Sequence, residues 1–135
     1  MVFFVNENTV QWVLAIIVGH FNVLDGFNDA FKFFSLNGYV FFTSIRLIPY
    51  LILGGIVLIL VKKQKDISIG IAWGGLFGIS AMIIYGSWTA LHPFYTGEHV
   101  SSTTGLTFLA LPFLAIVTGI IGCLIGWGIS VAARE

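Results

Sequence analysis

Three long apolar stretches, Tyr39–Val61, Ile67–Leu91 and Leu106–Ala133, constrain this chain more than any other feature. A helix rises about 1.5 Å per residue, so roughly 20 predominantly apolar residues cross the hydrocarbon core of a bilayer. Each stretch meets that length. Only 9 % of the residues are charged, against about 25 % in an average soluble domain. The solvent these helices expect is therefore lipid, where every buried polar group needs a partner or a purpose.

The first 38 residues are less uniform. Val10–Leu24 is apolar apart from Gln11, His20 and Asn22, and is too short to span by itself. Beyond Phe21 the pattern turns amphipathic at about 100° per residue. Asn22, Asp25, Asn28, Asp29, Lys32 and Ser35 share one arc, while Val23, Phe27, Ala30, Phe31 and Phe34 share the opposite one. Phe33 falls on the polar side. The pattern predicts a first membrane helix over about 10–31 that runs into, or bends into, an interfacial helix. Asn37-Gly38 then supplies a turn.

The expected fold is all-α: a single domain over 1–135 with four transmembrane helices at about 10–31, 39–61, 67–91 and 105–133. The number falls to three if the first segment is only interfacial. Pro49 and Pro112 lie inside spans, where each removes a backbone hydrogen bond. The short turn at 62–66 makes the second and third spans antiparallel neighbours. Ser101, Ser102 or Thr103 offers a cap for the last helix.

Basic residues orient the bundle. Lys62, Lys63 and Lys65 share one short loop, which the positive-inside rule assigns to the cytoplasm of a cell-membrane protein. Four spans then put both termini and Arg134 on that side, with Lys32 and Arg46 toward the other.

Small residues indicate how the helices meet. Gly70, Gly74, Gly78 and Gly86 recur at multiples of four on the third span, and Thr118, Gly122, Gly126 and Ser130 on the last. Gly119 lies on a neighbouring stripe with Ala115 and Cys123. Lipid supplies no hydrophobic drive between helices, so association depends on close backbone approach. Two such stripes serve either a contact within the chain or a seam between copies.

The polar residues gather toward the predicted outer face. Arg46 lies about 10 Å into its span, with Asp25, Asp29 and Glu98 as candidate partners. This set reads either as a structural ion pair or as the entrance for a solute or ion. His92 and His99, beside Glu98, invite a metal reading, although their spacing matches no zinc motif. His20, near Asp25 on the chain, is a candidate proton relay. The hydroxyls at Ser101–Thr104 carry no nucleophile-elbow pattern, so no enzyme is expected and no cofactor is implied. Zero net charge and the lack of an extended basic tract argue against nucleic acid. The leading expectation is a small non-enzymatic packing or accessory module, its partners being the lipid bilayer and either itself or a larger membrane protein. The alternative is a transporter or channel subunit with Arg46 at its entrance. A metal-dependent membrane protein built on the His92–His99 loop comes third.

Overall fold

The computed structural model describes residues 4–63, 65–99, 102 and 104–135, and the described elements are helical. They are α1 (Glu7–Ile17), α2 (Val23–Ala30), α3 (Leu36–Val61), α4 (Lys65–Leu91), α5 (Pro93–Thr96) and α6 (Thr104–Ala132). Among the described residues three helices are long and apolar enough to cross a membrane, consistent with an all-α membrane bundle. They are α3, α4 with its α5 extension, and α6. Ser101 and Thr103, two of the candidate caps for the last helix, lie outside the described residues.

The helix expected over 10–31 is corrected to two short ones. The first, α1, begins earlier, at Glu7, where the Asn6 side chain accepts the Thr9 backbone N–H at 2.8 Å. It ends at Ile17, so its 11 residues reach about 16 Å, half a bilayer core. The break falls at a close contact and a turn residue. A Cβ on Gly19 would meet the Ala15 carbonyl oxygen at 2.8 Å and the Tyr95 ring at 3.0 Å, so only glycine fits there. His20 next adopts φ 55°, in the left-handed region that ends helices.

The second helix, α2, folds back along α1. Gly26 faces Trp12, Ala15 and Ile16, and the Trp12 indole N–H donates to the Val23 carbonyl at 3.0 Å. The Trp12 and Phe27 rings meet edge to face with centroids 5.6 Å apart.

The hairpin packs on the bundle through α1. Val10 and Leu14 join Leu91 in a buried cluster flanked by Trp88, Tyr95 and Phe108. Val5 reaches a second cluster of Leu53, Ile79, Ile83 and Ala115. The start of α1 therefore lies deep in the bundle and its far end lies beside α5.

Within the bundle α4 is central. Its glycine stripe faces that of α6: Gly70 lies against Gly126 and Ser130, Gly74 against Gly122, and Gly78 against Thr118 and Gly119. An added Cβ at any of these three positions on α4 would run into backbone or side-chain atoms of α6. On α6, hydroxyls return to their own helix, Ser130 Oγ donating to the Gly126 carbonyl at 2.8 Å and Thr118 Oγ1 to the Ala115 carbonyl at 3.2 Å. Tyr50 and Ser80 hydroxyls link α3 to α4 at 3.1 Å. At the end opposite α5, Arg134 pairs with Asp66 at 3.3 Å in the open, a contact worth at most about 1 kcal/mol.

Candidate functional site

Among the described residues the most buried charge is Arg46, ten residues or about 15 Å along α3 and 4 % exposed. A guanidinium keeps its charge in such a place, so it must be compensated. Its Nη1 pairs with the Glu7 carboxylate, and its Nη2 donates to Thr43 Oγ1 at 3.0 Å, one turn earlier on the same helix. The buried Nε has no hydrogen-bond partner among the described residues. A void of about 10 Å³ lies beside the pair, lined by Glu7, Phe42, Arg46, Ile83, Ser87, Phe108 and Leu111. That is near the size of one water site.

The partner was expected among Asp25, Asp29 and Glu98, and the structure corrects this to Glu7. The reason is the half-length of α1. Because α1 starts inside the bundle, its first-turn carboxylate meets the guanidinium directly. Asn6-Glu7-Asn8-Thr9 ahead of an apolar run is a helix-start signal, a capping residue with an acid in the first turn. Placing that start at Val10 concealed it.

The expected outer cluster is divided among separate contacts. Asp29 accepts the Tyr95 hydroxyl at 2.7 Å, joining α2 to α5. Asp25 is exposed and accepts a long 3.4 Å bond from Asn22 Nδ2. Glu98 and His99 are exposed, and His92 is half-buried where α4 gives way to α5. Among the described residues no three His, Cys, Asp or Glu side chains come together to hold a metal ion. The metal grouping of His92, His99 and a carboxylate is therefore not assembled. His20 occupies the α1–α2 turn, exposed, so its sequence neighbourhood to Asp25 builds no buried relay.

Two clefts open beside this core, at the α5 end. One, of about 260 Å³, is lined by Glu7, Asn8, Phe33, Phe34, Ser35, Gly38, Tyr39, Phe42 and Phe108. It shares Glu7, Phe42 and Phe108 with the void beside Arg46, so the Glu7 half of the ion pair borders both spaces while Arg46 borders the void alone. The other, of about 380 Å³, is lined by Gln11, Asp29, Lys32, Phe33, Leu91, Phe94 and Tyr95. The Phe33 ring borders both. The arrangement offers a compensated charge at depth, approached through an aromatic cleft with a few polar groups. An aromatic cleft with a few polar groups is the usual composition of a small-molecule site.

Comparison with protein-family models, curated proteins and solved structures returns no match. The site must therefore be read from its own chemistry.

Proposed function

We propose that this multi-pass membrane protein is a transporter or channel subunit that admits a small solute or ion through the cleft bordered by Glu7, the acid that pairs with Arg46. The observation that carries the reading is the pair itself. A charge inside a span is expensive, and this one is held by a half-length helix whose acid borders an open cleft. Discontinuous helices ending at mid-depth are a recurring way of presenting polar groups to a permeating solute. On this reading the cleft faces outward and the lysines at 62–65 face the cytoplasm, by the positive-inside rule. No catalytic step is assigned to the chain.

The test is uptake of radiolabelled chloride, sodium and glycine into proteoliposomes. The reading expects saturable uptake of at least one, lost in Arg46→Ala and Glu7→Gln proteins that remain helical and monodisperse. Wild-type uptake no greater than that of empty liposomes, or uptake unchanged in both variants, contradicts it.

One observation favours a second reading, the non-enzymatic packing or accessory module. Both glycine stripes are occupied within the chain, which removes them as a seam for self-association. Yet α3 is only 17 % buried over its apolar window, and nothing lies within 4 Å of a Cβ added at Gly54 or Gly55. Adjacent glycines on an open span permit close approach of another helix. Gly55→Leu would then abolish cross-linking to a second copy or another membrane helix while leaving monomer stability unchanged.

A further inference from the structure

The Asp29 carboxylate and the Lys32 ammonium border one cleft without pairing to each other. Residues three apart on a helix are well placed to form an ion pair. Here Asp29 is instead held by the Tyr95 hydroxyl at 2.7 Å, and both residues line the cleft. Lys32 lies past the end of α2, with its ammonium 5.5 Å from the centre of the Phe33 ring. The neighbouring Gln11 adds an amide to the lining, and Phe33 and Phe94 add aromatic surface. At about 380 Å³ the space lies within the usual range for small-molecule sites.

We propose that this cleft binds a zwitterion: a primary ammonium joined by a short linker to a phosphate or carboxylate. The ligand's ammonium goes to Asp29, where a charge-assisted hydrogen bond and the aromatic surface both favour it. Its anionic group goes to Lys32. The two side chains cancel in charge, so a ligand that is neutral overall but charged at both ends matches them. A simple anion meets the Asp29 carboxylate, and a simple cation meets the Lys32 ammonium. Tyr95 is a positioning residue, fixing one carboxylate oxygen and leaving the other to the cleft.

The same chemistry occurs in a phosphatidylethanolamine headgroup and in free amino acids or phosphoethanolamine. The inference deepens the proposed function by naming a ligand class, and it rests on the α5 end being the face that takes up solute.

The experiment uses the full chain in nanodiscs of mixed dioleoyl lipids, with retained lipid identified by native mass spectrometry. O-phosphoethanolamine is titrated in parallel, with thermal unfolding as the readout. The wild type is expected to retain phosphatidylethanolamine about tenfold over phosphatidylcholine and phosphatidylglycerol, the range of one charge-assisted hydrogen bond. Asp29→Asn is expected to erase the preference for ethanolamine over choline, and Lys32→Gln to weaken retention of both. Tyr95→Phe, which keeps the ring and the fold, is expected to weaken the ethanolamine preference alone. Stabilisation by O-phosphoethanolamine that Asp29→Asn abolishes, with no lipid preference, supports the site and identifies the ligand as a soluble zwitterion. Equal retention of the three lipids with no response to O-phosphoethanolamine overturns the proposal, as does a preference unchanged by both charge substitutions. The arms separate from the transport reading: uptake unaffected by Arg46→Ala removes that reading, while an Asp29-dependent preference leaves the zwitterion site standing.

Discussion

Replacing Gly74 by alanine asks whether the α4–α6 contact holds this bundle together. A Cβ at Gly74 would lie 2.9 Å from the Gly122 carbonyl carbon and 3.2 Å from Gly126 Cα, with the Gly122 carbonyl oxygen nearer still. Ordinary contacts begin at 3.4 Å, so the helices must part by about half an ångström at the carbon and by more at the oxygen. None of these atoms is the mobile end of a side chain, so the shift is carried by backbone. Overpacking of this kind costs about 1–3 kcal/mol, and parting also weakens the contacts at Gly70–Gly126 and Gly78–Thr118 along the same stripe. Alanine recovers about 0.5–1 kcal/mol through its better helix propensity. The net expectation is a loss of about 1–2 kcal/mol. Gly55→Ala has the same propensity gain and meets nothing within 4 Å, so it is expected to be neutral or slightly stabilising. The two proteins should thus differ by about 2 kcal/mol in SDS-titration unfolding followed by far-ultraviolet circular dichroism. Gly74→Ala as stable as wild type, or Gly55→Ala equally destabilised, would refute the reasoning.

Three other perturbations have clear directions. Arg46→Met with Glu7 intact, or Glu7→Gln with Arg46 intact, leaves one charge buried without its partner and should cost about 3 kcal/mol. The double substitution Glu7→Gln/Arg46→Met should recover much of this in the same unfolding assay, while additive losses would mean that the two groups do not interact. Gly97 ends α5 at φ 74°, so Gly97→Ala should cost about 1 kcal/mol, with an unchanged melting temperature counting against that conformation. Trp12→Phe removes the indole donor to the Val23 carbonyl and should loosen the α1–α2 hairpin by about 1 kcal/mol. Faster amide exchange across Val23–Ala30 than across α4 would report it, and no change in exchange would contradict it.

Some of this architecture is legible in the residues. Lipid-length apolar runs announce α3, α4 and α6, because 20 or more apolar residues have few alternatives in water. Four-residue spacing of glycines identifies surfaces able to approach closely, although spacing does not say which surface meets which. The hairpin is harder to read. Val10–Leu24 has the hydropathy of a span, and what divides it is Gly19 passing close to Tyr95, a contact between residues 76 apart. Glu7 was hidden for the same reason. A carboxylate just ahead of an apolar run looks solvated unless the helix starts inside the bundle, and that depends on Val5, Val10 and Leu14 docking against α4. Asp29 is one of two acids on an amphipathic face in the sequence, where nothing brings it to Tyr95, 66 residues away.

The most direct test of the account is sided labelling of a single cysteine at Asn8 in a Cys123→Ser background, with Thr96 and Lys63 as references for the two faces. Asn8 borders the cleft at the α5 end, one residue after the acid that pairs with Arg46. The half-length α1 predicts that Asn8→Cys reacts with a membrane-impermeant thiol reagent from the same side as Thr96→Cys, and that Arg46→Ala alters its rate. Reaction from the side of Lys63→Cys would mean that the first segment crosses the bilayer, separating Glu7 from Arg46 and from the cleft.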